Sequence, residues 1–142
     1  MKRYRTQGFS FIELLAVLVI LGLIAAALTP TIFSKIAQGK IKSAKVQMSS
    51  LDQALNNFNL DCGFFPSTEQ GLDTLITAPS NGKSCKSFDP NGYFGKKKIP
   101  LDPWSEPYIY TSPGQVNAGS YDLSSAGPDK SPATDDDVKG WE

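Results

Sequence analysis

Gly8-Phe9-Ser10-Phe11-Ile12-Glu13, an apolar run from Leu14 to Leu28, and then Thr29-Pro30 decide how this chain is read. From Phe9 to Leu28 only Ser10 and Glu13 are clearly polar. Twenty helical residues span ~30 Å, about the hydrocarbon thickness of a bilayer, so the segment 9–30 is expected to cross a membrane as a helix. Lys2, Arg3 and Arg5 stand ahead of it. Cations on that side hold the N-terminus in the cytoplasm. The competing reading is an ordinary signal peptide with Ala25-Ala26-Ala27 as its small-residue cleavage site. Two features oppose it. Glu13 puts a carboxylate inside the apolar core, at ~2.5–3.5 kcal/mol, and the helical pattern continues past Pro30.

Beyond Ile32 the apolar residues Phe33, Ala37, Ile41, Ala44, Met48, Leu51, Leu55 and Phe58 follow one another at intervals of three and four. That is one stripe along a helix. The spacing predicts a helix from about Phe9 to Asp61, stopped by Gly63. Pro30 removes a backbone hydrogen bond and predicts a kink in the turn before it. The second half of such a helix needs a sheet to bury against. Ser67-Thr68-Glu69-Gln70 is a capping-box pattern that predicts a second helix with Leu72, Leu75 and Ile76 as its apolar face. Residues 79–92 are rich in Pro, Ser, Asn, Gly and Lys and read as loop. Tyr108–Thr111 and Ser120–Ser124 are expected strands, joined as a hairpin through Pro113-Gly114 and Asn117–Gly119. A third strand is expected around Lys97–Ile99. The fold class is therefore α+β: one long helix on a small antiparallel sheet, in a single domain of residues 31–142.

Composition excludes several functions. The chain of 142 residues has 14 Lys and Arg, 14 Asp and Glu, and no histidine. A histidine-based triad, a histidine zinc site and an imidazole switch are all ruled out. Without the three leader cations the remainder is net −3. It has no basic excess to neutralise phosphates, so nucleic acid is not an expected partner.

The N-terminal stretch resembles the class III signal of type IV pilins and of the pseudopilins of type II secretion. The resemblance implies that a prepilin peptidase removes residues 1–8, cutting between Gly8 and Phe9, and that Phe9 is then N-methylated. Glu13 matches the family's glutamate at the fifth mature position, which implies a role in assembly: pairing with the charged amine of a neighbouring subunit's Phe9 inside the membrane. The plainer reading is a carboxylate that reaches the headgroups of its own leaflet. The rest of the chain is similar to the major (G-type) pseudopilins. Phe65-Pro66-Ser67-Thr68-Glu69-Gln70-Gly71-Leu72 resembles their Y-P-T-T-E-Q-G-L segment. Ile99-Pro100-Leu101-Asp102-Pro103-Trp104 resembles L-P-x-D-P-W, and Tyr121 to Asp129 resembles D-(I/L)-x-S-x-G-x-D. Asp102-Pro103-Trp104 reads as a rigid turn plugged by one aromatic, structural and not catalytic.

The resemblance implies a type IV pilin-like fold and a subunit that polymerises with copies of itself into the periplasmic filament driving protein export. Minor pseudopilins, the inner-membrane secretion platform, the prepilin peptidase and membrane lipid are the implied partners. The implied location is the inner membrane, single-pass, with the C-terminal domain periplasmic. A type IV pilus major or minor subunit is the alternative, and an anchored Ca²⁺-dependent hydrolase is a remote third reading.

Asp129, Asp135, Asp136 and Asp137 lie among loop-forming residues. By composition they form an acidic, solvated tail. In G-type pseudopilins this loop binds Ca²⁺, which implies ligands at Asp129, Asp136 and Asp137 and the main-chain carbonyl of Ala126. The Ser125 carbonyl and Asp135 are further candidates. Oxygen donors of this kind suit that ion. Pro128-Asp129-Lys130 departs from the family's common A-D-G. Cys62 and Cys85 are a second departure, expected to pair in an oxidising periplasm.

Overall fold

Helix α1 (Phe11–Cys62) is 52 residues long. The structure is a computed structural model describing residues 8–141, with the backbone alone for 27–31. The expected leader cations Lys2, Arg3 and Arg5 lie outside the described residues, and α1 continues as helix through Pro30, the site of the expected kink. The chain divides into two units between Gln38 and Gly39. In the first, the apolar side chains of α1 face solvent: Phe11 is 78 % exposed and Leu18 64 %. Among the described residues no helix is long and apolar enough to cross a membrane. The described side chains of the apolar run stop at Ala26 and resume at Ile32.

In the second unit the stripe becomes a core. Ala44, Met48, Leu51, Leu55 and Phe58 are all buried, each large one contributing ~1.5–3 kcal/mol relative to exposure. Gly63 ends the helix with φ 74°, a left-handed conformation open to glycine without a Cβ clash. Its N–H donates to Asn59 O at 2.8 Å.

The Ser67–Gln70 box forms reciprocally. Gln70 N–H donates to Ser67 Oγ (3.3 Å) and Ser67 N–H to Gln70 Oε1 (3.0 Å). It does not open a full helix. Only a single 3-10 turn, Leu72–Leu75, follows. The donor that would continue it is residue 79, a proline without an N–H. The Leu75 carbonyl instead accepts from Tyr93 N (2.7 Å) and Phe94 N (3.2 Å).

The sheet has three antiparallel strands in the order β1-β2-β3. They are β1 (Ile109–Thr111), β2 (Asp122–Ser125) and β3 (Val138–Lys139). Ile109 pairs with Ser124 and Thr111 with Asp122, while Ser125 pairs with Val138. The hairpin is where the sequence placed it. The third strand is not: Lys97–Ile99 forms no strand. The exposed Lys97 and Lys98, preceded by exposed Lys96, give one sheet face nothing to bury, whereas Val138, flanked by Asp137 and Lys139, is 4 % exposed. The carboxylate of Asp122 closes the hairpin loop by accepting from Gln115, Val116 and Asn117 N–H. Tyrosines bind sheet to helix. Tyr108 OH donates to Gln47 Oε1 at 2.9 Å, and Tyr121 OH donates to Asp52. Tyr110 OH donates to Pro66 O at 2.7 Å.

Candidate functional site

At the N-terminal end, Gly8, Phe9 and Ser10 precede the helix and are exposed. Glu13 sits in its first turn. Ser10 N–H donates to Glu13 Oε2 (3.4 Å) and Glu13 N–H to Ser10 Oγ (3.3 Å). This is a capping box, and it satisfies two donors that a helix N-terminus otherwise leaves unpaired. The Ser-x-x-Glu spacing was the signal for it.

Cys62, the last residue of α1, is joined to Cys85 by a disulfide, with their Cα atoms 5.0 Å apart. The bond sits beside an aromatic cluster about Phe58. Phe64 and Tyr93 meet that ring edge-on at 5.5 and 5.4 Å. Neither cysteine is free to act as a nucleophile or metal ligand.

The acidic loop is built on the end of β2. Ser125 and Ala126 are buried, and Gly127 follows with φ 69°. Gly127 has no side chain because the place of a Cβ is taken by the Asp136 carbonyl, with Asp136 Oδ2 3.6 Å away. The loop is therefore folded back on itself. Its two ends meet at Gly127 and Asp136. Asp129 N–H donates to Asp136 Oδ2 at 3.3 Å. Asp129 Oδ1 accepts from Ser131 N–H (2.9 Å) and Asp137 Oδ2 from Ala133 N–H (2.9 Å). Thr134 Oγ1 lies 2.8 Å from Asp136 Oδ1 and 3.4 Å from Asp137 Oδ1. Its hydroxyl, more than any other contact, holds the Asp136 carboxyl below the usual carboxylate range.

Asp129, Asp136, Asp137 and the main chain of 125–127 thus occupy one loop, while Asp135 is exposed beside them. With Ile41 and Lys45 of α1, residues 135–139 line a recess of ≈ 260 Å³. The donors are all oxygens, the kind a hard cation takes. Among the described residues, however, no three acidic or thiol groups converge closely enough to hold a metal ion. Carboxylates that would be ligands are engaged with the loop's own N–H groups. Thr134 was missed in the sequence. A threonine two residues before an aspartate in a loop is the local signal.

Lys130 follows Asp129 in the turn. It stands at φ 60°, a left-handed conformation uncommon for a side chain other than glycine, asparagine or aspartate. Lys130 Nζ reaches Glu106 Oε1 at 3.0 Å.

The family described as "Type II secretion system (T2SS), protein G" matches residues 31–141, and the "Prokaryotic N-terminal methylation motif" matches residues 3–29. The chain is 37 % identical over 145 residues to a type II secretion system core protein G of Pseudomonas aeruginosa, covering 100 % of this chain and 99 % of the relative. It is 36 % identical to the corresponding protein of Aeromonas hydrophila, over 99 % and 96 % of the two chains. The crystal structure of the major pseudopilin from the type 2 secretion system of enterohaemorrhagic Escherichia coli superposes with a TM-score of 0.69. That match has 30 % identity over 76 % of this chain and 87 % of that one.

Proposed function

Since the chain belongs to the protein G family of the type II secretion system, and is a structural pseudopilus subunit and not an enzyme, we propose how its own residues serve that assembly. A prepilin peptidase removes residues 1–8 by cutting between Gly8 and Phe9, and Phe9 is methylated. The segment 9–30 anchors the subunit in the inner membrane, with residues 31–142 in the periplasm. Copies then leave the membrane to add to a helical homopolymer that drives folded proteins through the outer membrane. The filament meets minor pseudopilins and the inner-membrane platform, and the segment 9–30 meets lipid.

The observation that carries this reading is the joint match of the methylation motif to residues 3–29 and of the protein G family to residues 31–141. True type IV pilins share only the N-terminal part, which sets the pilus alternative aside. The exposed apolar face of α1 in the first unit supports a membrane-embedded and later subunit-packed state. A carboxylate in lipid is costly. We assign Glu13 to the methylated amine of a neighbouring Phe9, in exchange for the local cap on Ser10. Mass spectrometry of the mature protein should find N-methyl-phenylalanine at Phe9. Glu13→Ala should leave an inserted, processed monomer that forms no filaments. Normal filament yield in that variant would reject the role of Glu13 and leave processing standing.

We also propose that Ca²⁺ binds the acidic loop. Asp129, Asp136, Asp137 and the Ala126 carbonyl would hold it, with the Ser125 carbonyl and Asp135 as further candidates. The closed Gly127–Asp136 contact supports this, since it already joins the turn after β2 to the acidic run. When bound, the ion would offset the mutual repulsion of these carboxylates.

A further inference from the structure

Two separate contacts run from the Asp102–Glu106 turn to the C-terminal loop. Asp102 is 5 % exposed. Its Oδ1 accepts from Trp104 N–H (2.9 Å) and Glu106 N–H (2.8 Å), which closes the turn. Its Oδ2 accepts from the hydroxyl of Ser125, a residue with no exposed surface. Ser125 Oγ in turn accepts from Gly127 N–H at 3.2 Å. The second contact is at the surface, between Glu106 and Lys130.

The buried contact has a fixed direction. A carboxylate only accepts, and a serine hydroxyl has one proton. With that proton given to Asp102, Ser125 Oγ has only lone pairs left to present, and these receive the Gly127 amide. That bond fixes the plane of the 126–127 peptide, from which Gly127 turns at φ 69°, and Gly127 is the residue packed on the Asp136 carbonyl. A neutral amide at 102 could turn its NH₂ toward Ser125, take one of the two Oγ lone pairs and release the hydroxyl proton to compete for the place of the Gly127 amide.

We infer that Asp102 is a positioning residue for the C-terminal loop, acting through Ser125 Oγ on the Gly127 amide, with Glu106–Lys130 as an exposed auxiliary tie. The 102–106 turn is the mould in which the acidic loop is set. What Asp102 positions is the loop's backbone. Only its consequence for metal affinity rests on the calcium reading.

The test is amide hydrogen exchange by NMR on the full mature chain, for the parent, Asp102→Asn and Ser125→Ala. In both variants the Gly127 and Lys130 amides should exchange about tenfold faster, the loss of one buried hydrogen bond. The amides of Ile109–Thr111 should keep their rates. The double variant should match either single one, because both cut the same path. Unchanged loop amides would overturn the inference. So would acceleration shared equally by the loop and β1, which would make Asp102 a general brace. If Asp102→Asn does not fold, Ser125→Ala decides, since it leaves the turn's own two bonds to Asp102 intact. Calorimetric titration with CaCl₂ adds a second arm: Ser125→Ala should bind about tenfold more weakly, as when support behind a metal ligand is removed. Unaltered calcium affinity in the variant would count against the relay. A parent chain that binds no calcium would end the calcium reading and leave the exchange result to judge the relay.

Discussion

Two long loops leave the core of the second unit, and opposite forces hold them. The first, after Gly63, is fastened by the Cys62–Cys85 disulfide and by aromatic rings around Phe58. It is also tied by the buried Gln70, whose Nε2 donates to the Asn81 and Lys83 carbonyls at 2.6 and 3.0 Å. The second, after Ala126, is exposed at nearly every residue from Pro128 to Asp136 and is held by carboxylates and hydroxyls. Covalent and apolar ties are indifferent to pH and cations. Carboxylate ties are not. One small unit therefore has one loop that answers to redox state and one that answers to its ionic surroundings.

Replacing both cysteines, Cys62→Ser with Cys85→Ser, should have the largest effect. A closed loop of this size stabilises by ~3 kcal/mol in the chain-entropy model, and thermal unfolding should show the loss. Exchange at Gly127 should not change. If stability were unaffected, the aromatic ring cluster would be sufficient by itself. Chelation is the counterpart at the other loop. A ligand of the folded state contributes ~2.7 kcal/mol at a hundredfold excess over Kd. Chelator should lower the melting temperature of the mature chain in detergent, and Ca²⁺ should restore it better than Mg²⁺. An unmoved melting temperature would return residues 129–137 to a solvated tail.

Gly127→Ala should cost ~1–2 kcal/mol, from a left-handed φ combined with a side chain aimed at the Asp136 carbonyl. Protease should then cut within 128–137 and spare 79–92. Equal cutting of both loops would erase the contrast between them. The smallest effect is that of acid. Asp136 has its folded pKa lowered by Thr134 and neighbouring donors. Its contribution is present above the ordinary carboxylate value and is lost as pH falls through the lowered one. Proton NMR across that acid range should show the second loop loosening before the first, and Thr134→Val should shift the Asp136 titration upward. The opposite limb belongs to the sheet. Burial pushes Tyr110 up to about 12, so stability present below pH 10 should decline as pH rises toward that value.

The helix was legible because its stripe repeats over many turns and Gly63 marks its end. The hairpin was legible from its turn residues. What stayed hidden depends on contacts far apart in sequence. Whether Ser67–Gln70 opens a helix is decided by the Leu75 carbonyl and the missing N–H of Pro79. Val138 is a strand residue only because Ser125 lies opposite it. In the acidic loop the carboxylates and the Ser125 carbonyl were visible, but the hydroxyls of Thr134 and Ser125 were not, since a hydroxyl shows its part only when its partners are in place. Asp102 was read as part of a turn, and it is one. Its second oxygen serves a loop more than twenty residues away.

The sheet order β1-β2-β3 leaves strands of three and two residues at its margins. An unpaired margin is a template on which a foreign strand can grow, and short margins give it little to hold. A subunit stored at high local concentration must join its copies in one manner only. Among the described residues the sheet margins give a foreign strand little to pair with, which opposes an amyloid-like mass where copies are crowded.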